Sequence, residues 1–162
     1  VTVANSLGIA VNPGSTGTYL LQGGALNVGG NIVGGAGTST LAIDGGILTL
    51  GGNSITVNTL ILGRLSSDNG SFTLASGKNV LTDNLYIGVY GTGLFTQTGG
   101  TNTTNQDVYV GLYNGSEGTY IQSGGTNTIT NGFYLGTYSG SKGTYILMVS
   151  GELIDGHEAR RV

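Results

Sequence analysis

Val108-Tyr109-Val110-Gly111, followed by Gly118-Thr119-Tyr120 and Gly124-Gly125, decides the fold, because the chain writes this pattern three times in succession. The copy before it is Leu85-Tyr86-Ile87-Gly88, Gly93-Leu94-Phe95 and Gly99-Gly100, and the copy after it is Phe133-Tyr134-Leu135-Gly136, Gly143-Thr144-Tyr145 and Ser150-Gly151. Looser copies read as in phase with these: Gly8, Thr18-Tyr19 and Gly23-Gly24; Gly34, Thr40-Leu41 and Gly45-Gly46; Gly63, Ser71-Phe72 and Ser76-Gly77. The leading glycines fall at 8, 34, 63, 88, 111 and 136, a period of 23 to 29 residues. A period of this size signals a solenoid, in which each unit buries its apolar face only by stacking on the next.

Each copy contains three short runs with the two-residue alternation of a strand. The first run puts Leu85, Ile87 and Val89 on one side and Tyr86, Gly88 and Tyr90 on the other, and the next two copies repeat this. The aliphatic set is expected inside and the tyrosines outside. The second run carries an inward aromatic or aliphatic column, Tyr19, Leu41, Phe72, Phe95, Tyr120 and Tyr145, with Gln97 and Gln122 two residues on as an internal amide ladder. The third run gives inward Leu26, Leu48, Asn79, Asn102, Asn127 and Leu153, with the three asparagines as a second ladder, and then Val28, Leu50, Leu81, Thr104, Ile129 and Asp155. Three strands per coil with glycine at the corners predict an all-β, single-stranded parallel β-helix of about six coils. It spans 1–151, and a charged tail or cap follows over 152–162.

Composition fits this class. Glycine accounts for 33 of 162 residues, but 38% of the chain is apolar and at repeating positions, unlike a disordered low-complexity chain. Thr, Val, Ile and Tyr outweigh the helix formers. There is no cysteine, which excludes a thiol nucleophile, a Cys-zinc site and an iron–sulfur cluster. The net charge of −3, with five Lys and Arg, argues against nucleic acid. No run of about 20 apolar residues occurs, so no membrane helix is expected. The chain begins at Val1, which reads either as a processed or excised segment or as an arbitrary boundary.

Catalytic chemistry finds little to work with. A glycosidase needs paired carboxylates, and only Asp83 and Asp107 hold nearly equivalent places, with no Lys or Arg near them in the repeat frame. Carboxylate and carbonyl oxygens there would suit Ca²⁺, but solvated turn aspartates are the simpler reading, and no catalytic residue, metal site or cofactor is assigned. His157, the single histidine, sits in the charged tail. The Thr pairs 101/103 and 126/128 point outward on only two coils, a poor array for ice. The remaining surface is the tyrosine face: Tyr86, Tyr109 and Tyr134 in one column and Tyr90, Tyr113 and Tyr138 in another, with Gly88, Gly111 and Gly136 expected to leave a shallow track between them. These tyrosines present apolar area with a polar tip for a sugar or a protein surface, or they brace the sheet through cross-strand packing.

Gly118-Thr-Tyr-Ile-Gln-Ser-Gly-Gly-Thr-Asn-Thr128 and Gly45-Gly-Ile-Leu-Thr-Leu-Gly-Gly52 resemble the repeats of autotransporter-type passenger domains and of large Gly/Thr-rich bacterial surface proteins. The resemblance covers roughly 1–151. It implies a right-handed β-helix in an extracellular or bacterial cell-surface setting, acting as an adhesin or stalk, and carries over no functional residue. The expected function is therefore non-enzymatic, structural or adhesive, with end-to-end stacking on copies of itself into a filament, or a surface glycan, as the partner. The open N-terminal run Val1–Ala4 is the edge expected to stack. A carbohydrate-binding or carbohydrate-active β-helix that uses the tyrosine face is the alternative.

Overall fold

The computed structural model describes residues 1–148 in full and the backbone of 152–155. In chain order the strands are β1 Thr2–Val3, β2 Leu7–Ile9, β3 Thr16–Leu21, β4 Ala25–Val28, β5 Ile32–Gly34, β6 Thr38–Ile43, β7 Ile47–Leu50 and β8 Ser54–Leu62. They continue as β9 Asn69–Leu74, β10 Asn79–Ile87, β11 Thr92–Thr104, β12 Val108–Val110, β13 Glu117–Ile129, β14 Phe133–Leu135, β15 Lys142–Leu147 and β16 Glu152–Asp155. Every strand pair is parallel, and no helix occurs among the described residues. The chain is a β-solenoid of about six three-sided coils. Stacked partners lie 22 to 26 residues apart, as from Tyr19 to Leu41 and from Thr126 to Glu152, with one shorter step of 19 from Leu41 to Leu60.

The two-residue alternation is present in each long strand, although Asn79 and Leu81 in β10 and Leu135 in the last described coil, all expected inside, are exposed. In β8, β10, β11 and β13 every second residue is buried until two successive residues both turn out, and that double marks a corner within one continuous strand. The inward residues make one core, from Ile9 and Leu21 at one end through Leu60, Leu85, Phe95 and Val108 to Tyr120 and Ile129 at the other.

The phase of the first two copies differs from the reading. Tyr19 pairs with Leu41, Leu41 with Leu60, and that column runs on through Leu85, Val108 and Phe133. The aromatic column Phe72, Phe95, Tyr120 and Tyr145 occupies a different face and begins with Phe72. Gly8 and Gly34 also leave the glycine column, since Ile9 pairs with Gly34 and Gly8 with Val33. The motif encodes a strand, a loop and a second strand, but not which corner the loop occupies. In the first coil the loop at 10–15 joins β2 to β3, and Gly17 packs back on the backbone of Ala10, whose φ of 53° takes the role that glycine has later. From the third coil on, the long loops move to the next corner, at 63–68, 88–91, 111–116 and 136–141. The step from Leu41 to Leu60 crosses neither kind of loop, which is why it is short.

This slip leaves a seam. β1, β4 and β7 form their own three-stranded sheet, and β7 makes no ladder with β9, although Leu48 and Leu50 face Phe72 and Leu74 across a small cavity of about 80 Å³. Lys78 spans the seam, its Nζ donating to the carbonyls of Leu50 at 2.9 Å and Gly52 at 2.6 Å.

One corner also breaks the expected ladder. Between β9 and β10 the turn Ala75–Lys78 holds one residue more than its counterpart in β11, since Leu74 pairs with Gln97 but Asn79 with Thr101. The alternation slips by one, so Asn79 and Leu81 point outward and Val80 and Thr82 point inward. The asparagine ladder therefore has two rungs, with Asn102 Nδ2 donating to Asn127 Oδ1 at 2.8 Å. Val80 precedes it in the column and Leu153 follows it, which leaves Asn102 Oδ1 and Asn127 Nδ2 without partners. The glutamines, unlike the asparagines, do not bond to each other. Gln97 Oε1 accepts from the buried Tyr120 hydroxyl at 2.6 Å, and its Nε2 donates to the corner carbonyls of Gly100 and Thr126. Tyr145 gives its hydroxyl to Gln122 Oε1 in the same way one coil on.

The ladder continues through β16, which pairs with β13 from Thr126↔Glu152 to Ile129↔Asp155. The rest of the expected charged tail, 156–162 with His157, lies outside the described residues.

Candidate functional site

The glycine before each long loop sets the geometry of the outer face. Gly63, Gly88, Gly111 and Gly136 all have positive φ, between 63° and 75°. A Cβ on Gly111 would stand 2.0 Å from the Lys142 carbonyl, and one on Gly118 would stand 2.3 Å from the Gly111 nitrogen. The two sides of this corner thus meet backbone to backbone, and a side chain on either would push them apart. The positive φ also ends the strand alternation. Beyond the glycine the chain leaves the inward register of the strand, so Val89 and Leu112, expected in the core, line an outer groove, where Val89 is half-buried and Leu112 is buried as expected but outside the main core cluster.

Both tyrosine columns form as the spacing implied. Tyr86, Tyr109 and Tyr134 stack with ring centroids 5.2 and 5.0 Å apart and planes within 14°. Tyr90, Tyr113 and Tyr138 stack at 4.6 and 5.2 Å, within 15°. Between the columns runs an open groove of about 320 Å³, lined by Tyr86, Tyr109, Tyr113 and Tyr138 and by Ile61, Val89 and Leu112. Gly88 and Gly111 do not form its floor, because both are buried against the neighbouring corner. The floor is aliphatic, and it was missed because alternation alone carries Val89 and Leu112 inward. Ile61 was legible as the residue preceding Tyr86 in its column.

The stacking decides how the tyrosines can be used. Each ring covers the face of the next, so the columns show the groove mainly ring edges and hydroxyls, with few free faces. Tyr109 donates to Asp107 Oδ2 at 3.3 Å. Its phenol is pushed up to about 12, first by burial and then by the nearby Asp107 carboxylate. Burial, with Asp107 second, also raises Tyr86.

The two aspartates do not form a site together. Asp83 lies in the column of Asn58 and Asn105 and accepts from both amides, at 2.8 and 3.2 Å. Asp107 stands one register position away, accepting from Asn131 Nδ2 at 2.8 Å and from Tyr109. Each carboxylate is held by neutral donors at a corner between strands. Among the described residues no group of three or more His, Cys, Asp or Glu side chains gathers where a metal could bind. Among the described residues, Asp44 is the one buried carboxylate with an ionic partner: it accepts from the Arg64 backbone N–H at 3.0 Å and its Nε at 3.1 Å and so ties down the loop start.

No helix long and apolar enough to cross a membrane occurs among the described residues. No protein-family profile, curated protein or solved structure matches this chain. The class that the coordinates define is the parallel β-solenoid.

Proposed function

We propose that this chain is a non-enzymatic, extracellular structural or adhesive β-solenoid, of the kind carried on bacterial surfaces. The observation that supports this most directly is the outer face itself. Six tyrosines outside the core are aligned in register and stacked ring on ring across three coils. Stacked aromatic pairs add stability beyond the area they bury, so this arrangement reinforces a rod and presents one regular stripe along it. Cross-coil ties elsewhere point the same way, such as the exposed pair Lys142–Glu117. Any terminal coil of such a ladder carries unpaired N–H and C=O groups, which favours stacking on further coils or on a copy of the chain. The likeness of Gly118–Thr128 to passenger-domain repeats fits the same setting.

A second reading, a carbohydrate-binding β-helix, rests on the groove. Its lining is neutral and combines an aliphatic floor with phenol hydroxyls, which suits an uncharged glycan better than an acidic one. Surface display on a non-adherent cell tests both. The chain should raise attachment to glycan-coated surfaces or drive cell–cell clustering, and Tyr109→Ser with Tyr113→Ser should reduce it while circular dichroism keeps its β signature. If the displayed chain produces neither effect and the purified chain stays monomeric across a concentration series, the proposal fails.

A further inference from the structure

We propose that the two tyrosine columns are sites of oxidative cross-linking, at which adjacent coils become joined by dityrosine bonds. The requirements are two phenols side by side and an oxidant that can reach them. Tyr90 and Tyr113, Tyr113 and Tyr138, Tyr86 and Tyr109, and Tyr109 and Tyr134 are near-parallel pairs with centroids 4.6 to 5.2 Å apart. Tyr90, Tyr134 and Tyr138 are 47%, 42% and 55% exposed, so the outer members are open to solvent. The chemistry needs a one-electron oxidant, such as a peroxidase with hydrogen peroxide. Each phenol gives up one electron and one proton. At Tyr109 the Asp107 carboxylate, 3.3 Å from the hydroxyl, is placed to take that proton. The two phenoxyl radicals join through ring carbons ortho to oxygen. The hydrogens on those carbons then leave as protons while the oxygens regain theirs. The net change is one C–C bond formed and two electrons and two protons lost.

Such bonds would tie together residues one coil apart in a chain without a single cysteine, where no disulfide can do so. The molecule carries its own control. Tyr120 and Tyr145 have centroids 5.3 Å apart, but their rings are perpendicular and Tyr120 is fully buried, so this pair should not couple.

The test exposes the dilute 162-residue chain to a photogenerated one-electron oxidant and follows dityrosine fluorescence, denaturing gels and peptide mass spectra. The expected result is monomeric chain with dityrosine emission and linked peptides from the four stacked pairs, each lighter by two hydrogens. Tyr109→Phe with Tyr113→Phe keeps both stacks but leaves the remaining tyrosines of each column two coils apart, and should abolish the intrachain product. Intrachain yield unchanged in that variant, links formed only between chains, or tyrosines that gain oxygen without pairing would each overturn the proposal. The outcome does not depend on adhesion, so this proposal and the proposed function can fail separately.

Discussion

The close corner between the two glycine columns can be tested by three single substitutions that separate its two physical demands. Gly115 has φ +81° with nothing within 4 Å of a built Cβ, so Gly115→Ala meets only the backbone strain. A left-handed conformation costs a non-glycine residue about 1–2 kcal/mol, and alanine returns about 0.4–1 kcal/mol by restricting the unfolded chain, which leaves a net loss near ~1 kcal/mol. Gly118 has no positive φ, but its Cβ would lie 2.2 Å from the Ile87 carbonyl and 2.3 Å from the Gly111 nitrogen. Gly118→Ala therefore meets only the crowding, and overpacking of this kind costs about 1–3 kcal/mol. Gly111 combines both, with φ +71° and the Lys142 carbonyl at 2.0 Å. Gly111→Ala should lose about 2–4 kcal/mol, a large share of the roughly 5–15 kcal/mol of a typical domain. Backbone cannot swing aside as a side chain can, so the coils themselves must separate. Urea unfolding followed by circular dichroism should show the midpoint falling in the order Gly115→Ala, Gly118→Ala, Gly111→Ala, at an unchanged slope. If Gly111→Ala costs no more than Gly115→Ala, the backbone contact is absent and the account of this corner is wrong.

The buried asparagine pair should behave asymmetrically: Asn102→Val alone strips Asn127 of its one bonded atom and should cost about 1–3 kcal/mol, whereas changing both to Val removes two orphaned groups and should be close to neutral; a urea double-mutant cycle measures the difference, and a simple sum of the two single losses would refute the pairing. In base, burial holds Tyr145 up to about 12 and Tyr120 well above its ordinary value, and Tyr109 is also raised to about 12. Because the folded state keeps these protons more tightly than the unfolded chain, the associated stability is intact below pH ~10 and is lost as the pH rises toward ~12. Phenolate absorbance should therefore show Tyr109, Tyr120 and Tyr145 ionising only well above the ordinary phenol value and together with unfolding, and full phenolate at the ordinary value with the fold intact would contradict it.

The sequence by itself determined which side chains point inward along most strands. A period of two is a local property of an extended chain, and it placed Leu85, Ile87, Val108, Val110, Phe95 and Tyr120 in the core. It also determined the two tyrosine columns, because equal spacing between copies puts equivalent residues on top of each other once the coils stack. Three things needed the tertiary structure. The face taken by Tyr19 and Leu41 was one, since a glycine-bounded strand–loop–strand unit is equally sound at either corner, and only pairing between coils chooses. The outward turn of Asn79 and Leu81 was another, since a single extra residue at 75–78 reverses the side chains from Asn79 to Thr82, up to the next corner. The groove floor of Val89 and Leu112 was the third, since the chain turns there at the positive φ of Gly88 and Gly111, where the carbonyls of Glu117 and Lys142, about thirty residues on, leave no room for a side chain. Inward and outward are written locally, in side-chain chemistry. Face, register and groove depend on which coil lies against which, and those contacts are long-range.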